Sequence, residues 1–189
     1  MMKRLLIVGA GGHGRSLAEA ALASGTFTLS GFLDDQATYV WEFPVLGGTQ
    51  DFAAWRAVAD AAIVAVGNNV LRQQLQQQLM QAGFTLATVI HPRAVVAPSA
   101  DLGMGCAVMA GAIIGTEAKL GLGVIVNSGA VVDHHCVVED YGHLGVAAAM
   151  AGGTQLGTGA WMQAGSALGY GVKVPAGAVL PPGSTFKAE

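Results

Sequence analysis

The pattern of apolar and polar positions changes character once along this chain, near residue 90. Beyond that point every sixth residue is aliphatic or methionine, from Val96 through Leu102, Val108 and Ile114 to Leu180, fifteen positions without a slip in register. Four places after each stands a small residue, running Ala100, Cys106, Ala112, Ala118 and onward to Ser184. A period of six with this pairing predicts a parallel β-helix built from hexapeptides. Three hexapeptides close one triangular coil, so fifteen predict about five coils, with aliphatic side chains stacked inward and small ones in the corners.

The first part of the chain has no such period. "RLLIVGAGGHG" is an apolar strand running into a glycine turn, and "RSLAEAALAS" follows with helical spacing. "TLSGFLDD" reads as a second strand that ends on two acids, and "AAIVAVGNN" as another buried strand. "VLRQQLQQQLMQAG" places Leu71, Leu75 and Leu79 on one helical face, with Asn69 as N-cap and Gly83 as the stop. Strand and helix in alternation predict a parallel sheet. The expected architecture is therefore an α/β, Rossmann-like half domain over residues 1–90 and a C-terminal parallel β-helix over 91–189. "TVIHPRAVVAPSA" is the hand-over.

Composition narrows the partners. Hydrophobic residues make up 52% of the 189 and charged ones only 11%, well under the usual quarter. A chain with so little charge is expected to cover much of its surface with copies of itself. A net charge of −3 offers no basic field for nucleic acid. No apolar run reaches the ~18 residues of a membrane span. The start "MMKRLLIVGAGG" mimics a signal peptide, but His13 and Arg15 follow at once, so it reads as a first buried strand of a cytoplasmic protein. Cys106 and Cys136 both fall in the small slot, five hexapeptides apart and so on different faces, which argues for packing rather than a disulfide.

Two stretches carry candidate chemistry. Gly9, Gly11 and Gly14 satisfy G-x-G-x-x-G after a strand, and Asp34 follows Gly14 at the spacing the dinucleotide fingerprint gives its acid. Glycines let backbone amides approach a phosphate, and a helix N-terminus favours its charge. A dinucleotide needs two mononucleotide-binding halves, and the repeat begins before a second could be built. A single half holding a nucleotide diphosphate, with Asp34 or Asp35 on base or ribose, suits the length better. A purely structural glycine turn is the plainer alternative, although it would have no use for the imidazole of His13.

The other stretch, "VVDHHCVVEDYGHLG" at 131–145, holds three of the five histidines. In register, Val132 points inward and Cys136 fills a corner, so Asp133, His134 and His135 stay on the exposed part of that rung. Glu139, Asp140, Tyr141 and His143 sit on the next rung and its turn. A solvated charged turn is the ordinary reading, yet residues 94–189 otherwise spend little charge, with three Lys and six Asp or Glu in all. Asn127, one hexapeptide before Asp133, adds a polar group. His134, His135 and His143 could supply a metal site, but adjacent turn residues rarely aim both imidazoles at one ion, so no metal is expected. General acid–base work by one histidine is the sharper reading.

The G-x-x-G-H-G turn, "FLDD", "VGNN", and a hexapeptide solenoid bearing D-H-x-C and "GHLGVAAAMAGG" together resemble the NeuD/PglD-type sugar acyltransferases over nearly the whole chain. The resemblance implies a left-handed β-helix and a homotrimer with active sites between neighbouring solenoids. It also implies acetyl-CoA as co-substrate and a nucleotide-linked amino sugar, or a sialic acid, as acceptor. Position by position, His134 matches the family's base, Asn127 a polar residue lining that site, and Gly152 a backbone amide facing the thioester oxygen. His143 matches a residue contacting acetyl-CoA. Ala164 and Pro182, three hexapeptides apart, match corners along the pantetheine arm. Gly11, Gly12, His13, Asp34, Asp35 and Gly67 match nucleotide contacts.

Two departures stand out. The family usually has a carboxylate after the base, where it orients the imidazole and raises its basicity, whereas this chain has His135. A neutral imidazole can still hold His134 by a hydrogen bond but brings no negative charge, which leaves orientation to His135 or Asp133. The family commonly ends on a G-V-P-A-K-type tail, and this chain stops at "PPGSTFKAE". The leading expectation is N-acetylation of the 4-amino group of a nucleotide-linked 4-amino-6-deoxy sugar in bacterial glycan synthesis. O-acetylation of a sialic-acid-type sugar is the alternative. A trimeric solenoid that binds without catalysing is a further one, and His135 is the feature that would support it.

Overall fold

The computed structural model describes residues 2–37 and 39–187, in two compact units, Met1–Val89 and Ile90–Glu189. The first is built on a sheet whose central strand β1 (Lys3–Val8) buries Leu5, Leu6, Ile7 and Val8 completely. An unbroken apolar run of this kind belongs to a parallel strand covered on both faces. β1 lies between β2 (Phe27–Leu33) and β5 (Ala61–Val64), both parallel to it. β3 (Tyr39–Val40) and β4 (Phe43–Gly47) form an antiparallel pair added beyond β2, and β6 (Thr85–Leu86) closes the other edge. The order β3-β4-β2-β1-β5-β6 reverses direction of winding at β1, so a crevice opens beyond the carboxyl ends of β1 and β5, where α/β sheets bind ligands.

Two helices connect these strands. α1 (Gly12–Ala23) begins three residues before the helical spacing starts at Arg15, directly on the glycine turn. α2 (Asn69–Gln81) is capped by Asn68, whose side chain accepts from the Leu71 amide at 3.0 Å. The cap is thus one residue earlier than the expected Asn69, because only Asn68 reaches the third amide of the helix. Gly83 does follow the end, at φ +82. The buried face is also rotated from the expected leucine stripe: Leu75 and Leu79 are buried with Arg72 and Gln76, while Leu71 is exposed.

The second unit is the left-handed β-helix. Its two-residue rungs stack into three parallel sheets of six, six and five strands, and partners are one coil apart, as in Ile125↔His143↔Trp161. Thirteen of the fifteen aliphatic positions are buried, and Val96 and Leu102 of the first coil are half-buried. The ladder runs one rung further at each end than the expected span, starting at Val89–Ile90 and ending at Thr185–Phe186. Cys106 and Cys136 are buried, free and in the small slots.

Most corners are four-residue turns closed by the amide of the small residue, as in Ala130 to the Asn127 carbonyl at 3.0 Å. From Gly105 onward the third residue of the turn has φ near +60°, as type II turns require, and is usually glycine. Four corners break that rule, with Glu117, His135, Tyr141 and Ala147 at φ between +54 and +59. An L-residue in this region costs roughly 1–2 kcal/mol, so each of these side chains needs a reason to be there.

Candidate active site

Asp133, His134, His135 and Cys136 form one such corner, joining the face that carries Val131–Val132 to the one that carries Val137–Val138. Asp133 Oδ1 accepts from the His134 backbone amide at 2.7 Å and fixes the start of the turn. The imidazole of His134 then lies against the next coil, over Gly152. A Cβ built on Gly152 would come within 2.5 Å of His134 Nε2. Only glycine leaves room for the ring there. The Gly153 amide holds the His134 carbonyl at 3.0 Å, whereas the Gly152 amide makes no hydrogen bond among the described residues.

The far edge of the ring is held by its neighbour. His134 Nδ1 and His135 Nδ1 are 2.9 Å apart, with the rings edge to face at 85°. His135 Nε2 in turn lies 3.1 Å from Glu117 Oε2, one coil below. Asp133 Oδ2 is 3.9 Å from His134 Nε2, too far for a hydrogen bond. Of the two candidates for orienting His134, it is therefore His135 that grips the ring and Asp133 that shapes the backbone. About half of the His134 side chain stays exposed (51%), and Nε2 makes no hydrogen bond among the described residues.

The histidine-rich stretch does not form one cluster. Glu139, Asp140 and Tyr141 occupy a different corner, where they serve the fold: Glu139 Oε2 accepts from the Thr158 amide (2.9 Å) and hydroxyl (2.8 Å), and Asp140 Oδ1 accepts from the Leu122 amide (2.8 Å). The Thr158 hydroxyl, then Gln155, hold the Glu139 carboxyl below its ordinary range. Tyr141 is buried. His143 is buried on a third face, stacked on Trp161 with centroids 5.5 Å apart. Asn127 bends back to accept from the Ser128 amide at 2.9 Å. Asn127, Ala164 and Pro182 share one prism edge, and His134, His135 and Gly152 share another. Among the described residues no group of three His, Cys, Asp or Glu is placed to hold a metal ion.

In the first unit the glycine turn is built by close approach. Gly9 has φ +106, and a Cβ there would sit 2.9 Å from the Ala65 carbonyl; one on Gly14 would collide with the carbonyl of Gly9. Gly11 and Gly12, by contrast, face open space, and no side chain caps the first turn of α1. The helix amides are thus available to an anion. Asp34 does not reach outward from its strand end as ribose recognition would need. Its Oδ2 accepts from Ala10 N (2.8 Å), and Oδ1 accepts from Gln36 N (2.9 Å) and Ala37 N (2.8 Å). Burial raises its pKa, but those three amides outweigh it and hold the carboxyl below its usual value. Asp35 is occupied by Thr49, through its amide and its hydroxyl, each at 2.8 Å. Both acids still line a hollow of about 220 Å³ with Val8, Gly9, Gln36 and Leu71. That volume falls short of the ~300–1,000 Å³ that takes a whole small ligand, so it suits one portion of a larger one.

His13 sits in the first turn of α1, with Nε2 buried and unpartnered. Burial lowers its pKa to about 4, and the Arg72 guanidinium adds to the effect. Arg72 is itself wholly buried and donates to the carbonyls of Val66 (3.1 Å) and Gly67 (3.3 Å), at the end of β5. Sequence reasoning missed Arg72, because a charged residue beside a leucine stripe reads as solvated. It missed Glu117 too, although stepping back one coil from His135 leads straight to it.

Comparison with known proteins agrees with both units. The PglD N-terminal domain family matches residues 4–79. A GDP-perosamine N-acetyltransferase of Caulobacter crescentus, solved with CoA and GDP-perosamine, is 37% identical and superposes with a TM-score of 0.87, over 96% of this chain and 90% of that one. The acetyltransferase domain of PglB from Neisseria gonorrhoeae, in complex with acetyl coenzyme A, is 38% identical with a TM-score of 0.78, over 100% and 97%. The UDP-N-acetylbacillosamine N-acetyltransferase of Bacillus subtilis is 34% identical over 119 residues, 58% of this chain. The chain spans about half (52%) of that curated relative. With its half domain, its hexapeptide solenoid and 37% identity across nine-tenths of a solved relative's length, the chain belongs to the NeuD/PglD-type family of sugar acyltransferases.

Proposed function

We propose that this chain is an acetyl-CoA-dependent N-acetyltransferase acting on the 4-amino group of a nucleotide-linked 4-amino-6-deoxy sugar, as a cytoplasmic homotrimer in glycan synthesis. The observation that carries the reading is the seat of His134, gripped at Nδ1 and pressed over a glycine backbone, with no hydrogen bond on Nε2 among the described residues. An amine attacks a thioester only with its lone pair free, and it sheds a proton as the C–N bond forms. His134 Nε2 takes that proton and returns it to the departing thiolate as the C–S bond breaks. The Gly152 amide is suited to the oxygen on which charge develops, a contribution of about 3–4 kcal/mol where such donors have been removed. Cys136, buried under the corner, takes no part. The relatives' activities, on GDP-perosamine and toward UDP-N-acetylbacillosamine, favour an amine over a hydroxyl acceptor. The bonds of His135 to both neighbours speak against a lapsed site.

The split between two prism edges supports the trimer. His134 and Gly152 lie on one edge, and Asn127, Ala164 and Pro182 on another, so one solenoid cannot bring base and pantetheine arm together. A neighbouring copy presents the missing edge. In the first unit, the open amides of Gly11, Gly12 and His13 suit the diphosphate, and the hollow beside Asp34 and Asp35 suits the nucleoside. The test is thiol release from acetyl-CoA with UDP-, dTDP- and GDP-linked 4-amino sugars and a free sialic acid. Release with one amino sugar, reduced about 10²–10⁴-fold in a folded His134→Ala variant, is the expected result. Full turnover in that variant would sink the assignment.

A further inference from the structure

Glu117 lies outside the turn that carries the base, and nothing in the reaction as described uses it. Its placement is unusual in two ways. It occupies the third position of its corner at φ +57, and His135, directly above it in the same column, has the same φ of +57. In the next two coils that column is glycine, Gly153 and Gly171. The two strained side chains in the column are the two that bond each other, Glu117 Oε2 to His135 Nε2 at 3.1 Å. Strain of this kind persists where the side chain has work that glycine could not do.

The work follows from proton bookkeeping along three residues. Two imidazole nitrogens 2.9 Å apart share one hydrogen, so either His134 or His135 is the donor at Nδ1. Were it His135, its Nε2 lone pair would face the Glu117 carboxylate, lone pair against anion. With Glu117 ionised, His135 carries its hydrogen on Nε2 and presents a bare Nδ1. His134 then donates from Nδ1, which leaves Nε2 as the lone pair. Without the carboxylate the opposite arrangement becomes competitive, and it places a hydrogen on His134 Nε2, where no proton can be accepted.

We infer that Glu117 is a positioning residue for the base, selecting through His135 the tautomer in which His134 Nε2 is free and placing a negative charge behind the imidazolium that forms there. The inference rests on the acetyltransfer reading only for its kinetic consequence; the tautomer pattern stands by itself. Other charged groups face the pair. Asp133 lies 3.9 Å from His134 Nε2 on the same turn. Asp101 and Lys119 line, with Ser99, the hollow of about 300 Å³ beside Glu117 and His135, and as opposite charges in adjacent rungs they largely offset one another. Glu117 alone among these is bonded to a ring nitrogen of His135.

The substitution that isolates the charge is Glu117→Gln, which can still accept from His135 Nε2. Glu117→Gly, which supplies the residue this φ favours, guards against loss of fold. Both variants are expected to lower kcat about 10-fold with KM unchanged. Nitrogen-15 spectra of the histidines read the same point without turnover: His134 protonated on Nδ1 and His135 on Nε2 in the wild type, and a mixture in Glu117→Gln. A wild type with no acetyltransfer activity but this tautomer pattern overturns the reaction and leaves the inference standing. An active wild type whose kcat and spectra are unchanged in both variants overturns the inference and leaves the reaction standing.

Discussion

Gly152→Ala separates the geometry of the base from the stability of the fold. Gly152 is not in the left-handed region, so alanine meets no backbone strain. What it meets is the ring of His134: an added Cβ would lie within 2.5 Å of Nε2 and about 3.1 Å from Nδ1. Carbon–nitrogen contact needs roughly 3.5 Å or more, so the ring swings outward by about 1 Å and its bond to His135 Nδ1 is broken or bent. The ring is an exposed side-chain end, which makes the movement cheap for the fold. Gly→Ala at a compatible position gains about 0.4–1 kcal/mol through the unfolded chain, so the net change in stability is close to zero.

For catalysis the same displacement is costly. A misplacement of about 1 Å costs about 10²-fold, equivalent to about 2.7 kcal/mol of transition-state stabilisation. Thiol release under saturating acetyl-CoA, beside a thermal melt, reads both quantities. Gly177→Ala is the reverse control. It has φ +70 with nothing within 4 Å of a Cβ, on a different corner from His134. It is expected to lose roughly 1 kcal/mol for the left-handed alanine, a fall of about 2–4 °C in Tm, with kcat unchanged. A folded Gly152→Ala enzyme with kcat within about threefold of wild type would refute the reasoning, because His134 would then not need its seat.

Two further outcomes are expected. His13 has its pKa lowered to about 4 against ~6.5 unfolded, so between those values the unfolded chain binds a proton that the folded one refuses. Stability is therefore full above about pH 6.5 and falls as pH drops toward 4, by at most about 3 kcal/mol; His13→Gln should flatten that part of a urea-midpoint profile, and an unchanged slope would show that the imidazole is not buried neutral. If sites form between copies, His134→Ala and Ala164→Trp, each inactive alone, should restore activity when co-assembled, because about a quarter of interfaces in a random trimer pair two intact edges; no recovery from verified mixed trimers would place the whole site within one chain.

The solenoid was legible because its period is also its geometry. One aliphatic position in six is a buried stack, and three hexapeptides make one coil, so Gly152 over His134 and Glu117 under His135 follow from subtraction once the coil length is known. What periodicity does not carry is which hydrogen bonds a polar side chain chooses. Asp34 stands at the expected spacing from the glycines, yet three backbone amides claim its carboxylate. Asn68 rather than Asn69 caps α2 because one step along the backbone decides which amide is in reach. Arg72 defeats the leucine-stripe reading because the carbonyls it satisfies, of Val66 and Gly67, belong to the strand end and not to the helix.

The histidine stretch is instructive in the same way. Fifteen consecutive residues of a coil turn through nearly a full revolution, so a polar run of that length is dealt out to different corners and faces. Its titratable groups divide between Asp133, His134 and His135 at one corner, Glu139, Asp140 and Tyr141 at the next, and His143 on the face beyond. The partners that matter for chemistry lie one coil above or below, out of sight of any local motif. His135 therefore looks like a lost carboxylate when read beside His134 alone. Read along the column, it is the middle of a chain that ends on one, and Glu117 brings from the coil below the negative charge that the turn itself lacks.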